Sequence, residues 1–312
     1  MYRSKTRTRS RQNSSIFTPV QAVAVVLSVV LLVSLTVFLG LRLRGNPAAE
    51  RQEILRQWND GNFEQAFLMS RSALVRRPLD YFLLTINGFS AFQLGVSQIN
   101  TQSTLAFMDD SIRSLRRSLL LRESARDGRV FYVLGKAYTY KGEKFADLAV
   151  KFLEAARALS FEAGDLDEYL GLAHAALGDH RQSVQAFARA LDSAGGNPCS
   201  LLLSIARSYM ALGDFARAGV FLSRCIENSP DARSVAVARL LFAETLMARG
   251  DLEEAENLFV NILYESGTNA EVHFQLGELY NIRGDVTRAR FEWSRAHMAD
   301  PAHAGARARL DI

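Results

Sequence analysis

The feature that most constrains this fold is a glycine that returns at a nearly fixed spacing. Each such glycine precedes an acidic residue or an asparagine and lies between two amphipathic stretches. From Gly142 onward, successive glycines of this kind are 34 to 37 residues apart. A period of this length indicates an array of repeated helical hairpins rather than one globular core. The glycines are Gly61, Gly142, Gly178, Gly213, Gly250 and Gly284.

Other residue types recur at set distances from these glycines. A large apolar residue and a small residue stand side by side before the turn, and an aromatic residue follows three positions later. After the turn come a small, a large and another small residue, and a proline closes the unit. In residues 199–232 and 270–303 these positions hold Ile205, Ala206, Tyr209, Ala218, Leu222, Cys225 and Pro230, and then Leu276, Gly277, Tyr280, Ala289, Trp293, Ala296 and Pro301. The pattern resembles the tetratricopeptide repeat.

The resemblance implies an all-α fold, a tetratricopeptide-type α-solenoid of about seven helical hairpins, and an apolar run before the repeats predicts one transmembrane helix that precedes it. Two irregularities are expected within the array. Extra polar residues at 96–106 predict an insertion, and two additional residues are expected at the turn that contains Gly142. The expected order after the linker is divergent hairpins over 48–125, regular repeats over 126–303 and a C-terminal tail over 304–312.

Packing explains why these residue types recur. Small residues are expected where the two helices of a hairpin approach closely, because a larger side chain would force them apart. Aromatic residues are expected to fill the space between successive hairpins. Glycine permits a left-handed turn, and the following Asp or Asn is expected to cap the second helix. Each hairpin leaves an apolar face that its neighbour covers, so the repeats fold as a stack.

A long apolar run precedes the repeats. The 26 residues from Ile16 to Leu41 carry no charge, and a bilayer core needs about 20 helical residues. A cleaved signal peptide is the alternative, but its apolar region would be about 7–15 residues long and would end in small residues. Here the run leads into Arg42 and Arg44, which favours an uncleaved anchor. The expected segments are a basic cytoplasmic tail over 1–15, a transmembrane helix over 16–41 and a linker over 42–47.

Charge predicts how the chain is oriented and which partners it has. Five basic residues and no acidic one precede the apolar run. Basic flanks mark the cytoplasmic side, so we expect a cytoplasmic N-terminus and extracytoplasmic repeats, as on the periplasmic side of a bacterial inner membrane. Residues 45–312 carry a net charge of −3, which does not favour a nucleic-acid partner. The expected partners are proteins or peptides, together with the bilayer through residues 16–41.

Two cysteines, Cys199 and Cys225, are too few for a disulfide framework. Two small buried side chains are the simpler interpretation, and whether the cysteines pair stays open at this point.

The sequence contains no motif typical of catalysis. It has no glycine-rich phosphate loop, zinc-protease motif or nucleophile elbow, and its five histidines lack metal-ligand spacing. We therefore predict no enzyme activity and no cofactor. An enzyme would need a site assembled from the divergent region 80–125.

In tetratricopeptide proteins the first helices line a groove in which partner segments bind, so the resemblance implies a set of candidate residues. The alternative for each of them is packing between neighbouring helices, and both remain open. The candidates are Tyr132, Lys136, Tyr140, Leu172, Leu203, Arg207, Met210, Leu240, Glu244, Met247, Phe274 and Glu278.

These patterns predict a membrane-anchored protein-interaction scaffold for an envelope or translocation assembly. The alternative keeps the binding module but faces it to the cytosol, as in receptors on organelle membranes. The basic residues before the apolar run favour the first orientation. The partner surface is expected at the groove or, failing that, at the insertion over 96–106.

Overall fold

The computed structural model describes residue 28 and residues 30–34, 46–121, 127–196 and 198–312. All regular secondary structure within these ranges is helical. The predicted basic tail over 1–15 lies outside the described residues, as does most of the predicted transmembrane span over 16–41. The described residues of that span are helical. Among the described residues, no helix is both long enough and apolar enough to cross a bilayer.

The chain divides into two compact units, residues 1–60 and residues 61–312. In the first unit, helix α1 runs from Pro47 to Asn59. The Asn46 side chain accepts the Ala48 N–H and caps this helix, and a proline at the first helical position has no N–H to leave unpaired.

The described part of the second unit consists of fourteen α-helices joined by short turns. Five of these helices are followed within two residues by a glycine of the repeat. The helices are α2 (Phe63–Arg76), α3 (Tyr81–Val96), α4 (Thr101–Ser118), α5 (Gly128–Tyr140), α6 (Ala146–Ala158), α7 (Leu166–Ala176), α8 (His180–Ser193), α9 (Cys199–Ala211), α10 (Phe215–Asn228), α11 (Ala232–Arg249), α12 (Leu252–Ser266), α13 (Ala270–Ile282), α14 (Val286–Ala299) and α15 (Ala304–Leu310).

These helices pair into hairpins that stack in chain order. The pairs α3/α4, α5/α6, α7/α8, α9/α10, α11/α12 and α13/α14 are six hairpins, with α2 before them and α15 after them. Successive first helices contact one another, and each second helix packs between its own first helix and the next one. The first helices therefore form one layer of the solenoid and the second helices form the other, as the repeat pattern predicts.

The turns confirm the role of the repeated glycines. Gly178, Gly213, Gly250 and Gly284 all have positive φ, between 74° and 91°, where a side chain would be strained. The capping prediction holds only in part. The Asp214 and Asp285 side chains accept backbone N–H groups at the starts of α10 and α14.

Capping is not made by the side chains of Asp179 and Asp251, so the prediction is wrong at these two positions. Each carboxylate turns instead toward a basic residue at the end of the preceding helix. Asp251 lies 3.1 Å from Arg249, and Asp179 lies 3.8 Å from His174.

Close approach within each hairpin is confirmed at the small residues. A Cβ built on Gly171 would lie 2.5 Å from the Phe187 ring, and a Cβ on Gly277 would fall on the Trp293 indole. Phe187 also packs between hairpins, against Leu201. Trp293 likewise fills space within its own hairpin, and it belongs to a core cluster shared with α11 and α12. The small residue on the first helix therefore leaves the space that the large residue on the second helix fills.

The prediction of an insertion at 96–106 is wrong. Residues from Thr101 onward are helical and form the first turns of α4, which has 18 residues. The Asn100 side chain caps this helix by accepting the Gln102 and Ser103 N–H groups. The extra polar residues therefore lengthen a helix, with their polar side chains mostly toward solvent. At the turn containing Gly142, the additional residues are confirmed and form a short 3-10 helix, Glu143–Phe145.

The two cysteines form a disulfide, which corrects their interpretation as separate buried side chains. Cys199 begins α9 and Cys225 lies near the end of α10, and their Cα atoms are 4.9 Å apart. Antiparallel pairing of α9 and α10 brings these distant positions together. The disulfide therefore links the two helices at the end of the hairpin opposite its turn.

The segment 304–312, expected as a tail, contains helix α15. His303 caps the helix by accepting the Ala306 N–H. Arg309 lies over the Trp293 ring at 5.5 Å, and Leu310 packs against the core of the last hairpins. This helix therefore covers the apolar end of the stack.

The close approach at Gly277 makes a testable prediction. Replacing Gly277 with Leu should lower the free energy of unfolding by about 1–3 kcal/mol, because the new side chain collides with Trp293. Gly164→Leu is the matched control, since a Cβ there meets no atom within 4 Å. Urea denaturation followed by circular dichroism measures both, and equal losses for the two variants would contradict this packing.

Candidate functional site

The layer of first helices carries a row of outward side chains set by the small residues. Each small residue is buried against its hairpin partner, so the residue that follows it faces away from the core. We call this set the first-helix row. Its members are Lys136, Leu172, Arg207, Glu244 and Glu278, all candidates from the sequence.

Internal contacts enclose Lys136, at the start of the row. Its ammonium donates to Asp165 at 2.7 Å and to the Tyr132 hydroxyl at 3.0 Å. It also lies 4.4 Å from the centre of the Tyr169 ring and 5.5 Å from that of Phe92. Only 12% of the Lys136 side chain is exposed.

Asp165 is the carboxylate that neutralises this lysine. Burial opposes its ionisation, but hydrogen bonds from Lys136 and Tyr132 lower the pKa of Asp165 below its ordinary value. Burial and the same carboxylate raise the pKa of Tyr132. Tyr140 joins the cluster through its hydroxyl, 3.3 Å from that of Tyr169. These three candidates thus bind one another and their neighbours, which favours a structural role.

The far end of the row is also occupied. Arg309 of α15 donates to both carboxylate oxygens of Glu278, at 2.8 and 2.5 Å. Phe274 packs against the His303 ring, with centroids 5.0 Å apart, and a Cβ on Gly305 would lie 2.7 Å from it. Helix α15 therefore covers Phe274 and Glu278, which favours a structural role for these two candidates.

The middle of the row is open. Leu172 exposes 38% of its surface, and Arg207 is exposed. Neither Arg207 nor Glu244 makes a hydrogen bond or close ion pair with the described part of the chain. Two charged groups of opposite sign thus follow an exposed leucine on three successive hairpins.

Apolar side chains flank the open positions. Met210 and Met247 lie three residues after Arg207 and Glu244, and both are half-buried. Leu203 and Leu240 are also half-buried and pack against the cores of their hairpins. One side of each leucine packs in the core, and the other side remains accessible.

Glu244 has an unusual electrostatic environment. Burial is the main cause that raises the pKa of its carboxyl to about 7, with a further contribution from Glu271 and an opposing one from Arg207. Glu271 is itself engaged with His303 at 3.1 Å and Gln275 at 2.8 Å. Arg207 thus acts on Glu244 without an ion pair within 4 Å among the described residues, and a basic group placed closer would favour the charged form of Glu244.

No group of three or more His, Cys, Asp or Glu side chains in the described ranges could hold a metal ion. Separately, the side chains of the open middle, an exposed leucine, half-buried methionines and two opposite charges, suit apolar contact and ion pairing.

Comparison with known proteins agrees with this architecture. Residues 209–276 match the sequence model of the tetratricopeptide repeat. The C-terminal part of a tetratricopeptide protein from Cytophaga hutchinsonii is similar, with a TM-score of 0.57 and 14% identity over 84% of this chain and all of that one. A tetratricopeptide protein from Parabacteroides merdae gives a TM-score of 0.53 and 16% identity, over 84% and 98% of the two chains. No curated protein matches the sequence. These likenesses establish a tetratricopeptide-type fold.

Sequence reasoning missed the residues that close the two ends of the row. Asp165 lies in a turn outside the repeat pattern, and Arg309 lies in the segment treated as a tail. A weak signal existed for Arg309, since Ala304–Leu310 is rich in alanine and arginine, which favour helix. No repeat position pointed to Asp165.

The environment of Glu244 predicts how stability depends on pH. Its folded-state pKa lies above the ordinary value of 4.5, so the native carboxyl keeps a proton that the unfolded chain releases between about pH 4.5 and 7. Its contribution therefore lowers stability as pH rises through this window. Glu244→Gln should raise the free energy of unfolding by about 1–2 kcal/mol at pH 8 and change it little at pH 5.

Urea titrations at both pH values measure this effect. The exposed Glu227→Gln is the control and should change stability at neither pH. A loss of stability in Glu244→Gln at pH 8 would show that the carboxylate has a favourable partner.

Proposed function

We propose that this protein is a membrane-anchored scaffold whose repeats bind a partner protein in the bacterial periplasm. The tetratricopeptide-type fold supports a protein-interaction role, and fourteen helices without a described metal cluster suit a binding surface. The partner segment binds across the open middle of the first-helix row, and the assembly it serves acts in the cell envelope or in translocation.

The open middle of the row is the observation that carries the proposal. Lys136 and Glu278, at the two ends of the row, form ion pairs within the chain. Arg207 and Glu244 form no hydrogen bond or close ion pair with the described residues. A half-buried carboxylate whose nearest cation, Arg207, makes no ion pair with it costs free energy that a partner's lysine or arginine can recover. Leu172 and Met210 supply apolar surface on the two preceding first helices. The partner segment is therefore apolar, with a basic residue directed at Glu244.

The anchor rests on the uncharged residues 16–41 and their basic flank. Positively charged residues stay in the cytoplasm, which directs the repeats to the opposite side. The disulfide between Cys199 and Cys225 supports the same side, because disulfides persist in the periplasm and are rare in the cytosol. It also disfavours the alternative of a receptor facing the cytosol.

The partner surface can be tested with charge inserted into the open middle. Leu172→Asp with Met210→Asp should greatly reduce the proteins recovered by crosslinking and affinity purification from native membranes. Val220→Asp with Val260→Asp is the matched control on the second helices, where the two valines expose 58% and 49%. Quantitative mass spectrometry compares recovery with the wild type.

Both double variants should keep the wild-type circular-dichroism spectrum. A folded Leu172/Met210 variant that still recovers every partner would exclude this surface. Equal losses in the control variant would mean that added charge, rather than position, causes the effect.

Topology is tested separately from partner binding. Membranes washed with carbonate should retain the full chain, and a reporter that requires the periplasm should be active when fused after Ile312. Treatment with a thiol reagent without reductant should leave Cys199 and Cys225 unmodified, since they are paired. A mature chain beginning near residue 45 would instead identify residues 16–41 as a cleaved signal.

A further inference from the structure

A pocket between two second helices lies outside the surface described above. It occupies about 380 Å³ between α2 and α4. Three arginines line it, Arg71 from α2 and Arg113 and Arg117 from α4, and we call it the arginine pocket. Asp110 is its acidic lining residue, so the lining carries a net positive charge of two.

A buried polar network holds the floor of this pocket. The Asn87 amide donates to the Ser70 hydroxyl at 3.0 Å and to the Phe67 carbonyl at 3.1 Å. The Ser114 hydroxyl donates to the Asn87 oxygen at 2.8 Å. These bonds connect α2, α3 and α4, so the two walls that carry the arginines are held at a set separation.

Neighbouring groups orient the three arginines, but their combined positive charge exceeds the negative charge of the pocket lining. Arg117 donates to the Pro78 carbonyl at 2.8 Å, and Arg71 stacks at 5.7 Å from the centre of the Phe67 ring. Arg113 pairs with Asp110 at 2.7 Å. A guanidinium has five N–H donors, so most donors of the three groups remain available to an anion.

Another gap between second helices is charge-balanced. In the pocket between α6 and α8, Arg157 and Arg189 share one carboxylate, Asp167, at 2.7 and 2.9 Å, and Glu162 also lines the pocket. In the arginine pocket, three guanidinium groups face one lining carboxylate, Asp110.

Apolar surface adjoins the guanidinium groups. Val75 lines the pocket and is 84% exposed, and Leu74 and Pro78 lie beside it. A free phosphate or a lipid headgroup would satisfy the arginines but leave this valine in water. A peptide can cover both surfaces at once.

We propose that the arginine pocket binds an acidic segment of a partner protein, in which carboxylates flank an apolar side chain. The carboxylates pair with Arg71 and Arg113, and the apolar side chain covers Val75. Bidentate pairing of guanidinium with carboxylate gives geometry as well as attraction. This site is separate from the first-helix row and does not depend on it.

Labelled synthetic peptides test the proposal on the full-length chain in neutral detergent. A peptide with a Glu-Leu-Glu centre should bind, and its Gln-Leu-Gln counterpart should bind at least about tenfold more weakly. A Glu-Ser-Glu centre should also weaken binding, by about threefold to tenfold. Fluorescence polarisation measures all three.

Variants locate the binding. Arg71→Gln with Arg113→Gln should weaken Glu-Leu-Glu binding at least about tenfold. Arg76→Gln with Arg290→Gln removes the same charge from exposed arginines outside the pocket and should preserve binding. The Leu172→Asp/Met210→Asp variant should also bind this peptide normally, which separates this site from the first-helix row.

Three results would overturn the proposal. The first is no saturable binding of Glu-Leu-Glu, and the second is equal binding by the Arg71/Arg113 variant. The third is that inorganic phosphate or phosphatidylglycerol vesicles bind in an Arg71-dependent manner while the peptide does not.

Discussion

The structure depends on the close approach of two helices at one small residue in each hairpin. Gly171 faces Phe187, Gly277 faces Trp293, and Gly135 faces Leu153, with no room for a Cβ. Dispersion contacts at this distance hold each hairpin at one spacing and rotation. The residue after each small one is thereby directed outward, so a packing rule inside the hairpin creates the row of side chains on the surface.

The charged side chains of this row have different environments along its length. At Lys136 a carboxylate and several rings satisfy the ammonium, and at Glu278 an arginine from the last helix satisfies the carboxylate. Such contacts stabilise the fold but remove the groups from use by a partner. In the middle, Glu244 is half-buried and its pKa is raised to about 7. A perturbed carboxyl group on an open surface is a candidate binding group.

The hairpins and turns could be predicted from the sequence because their signals are local. Glycine at a fixed period and a small residue beside a large one determine the helices and their pairing. The contacts that decide which surface is open were not predictable in this way. Lys136 meets Asp165 across 29 residues, and Glu278 meets Arg309 across 31. The cysteine pair likewise depends on the register of two antiparallel helices.

The spacing between repeat positions also gave a wrong prediction at residues 96–106. The extra residues there belong mainly to a long second helix and not to an insertion. The extra turns of this helix continue a polar, solvent-facing side. The repeat pattern gives the positions of the turns and packing residues but not the length of each helix. The groove candidates were taken from five first helices alike. In the structure, internal contacts occupy the candidates at the two ends, and Leu172, Arg207, Glu244 and their apolar neighbours stay open.

Site-specific photocrosslinking most directly tests the claim that the middle of the row is open to a partner and the start is closed. Tyr140 and Leu172 expose nearly equal fractions of their surface, 36% and 38%, but Tyr140 belongs to the Lys136 cluster. A photoreactive residue at position 172 should crosslink to a partner in native membranes, and one at position 140 should give little product. Equal crosslinking at the two positions, or crosslinking at 140 alone, would contradict the account.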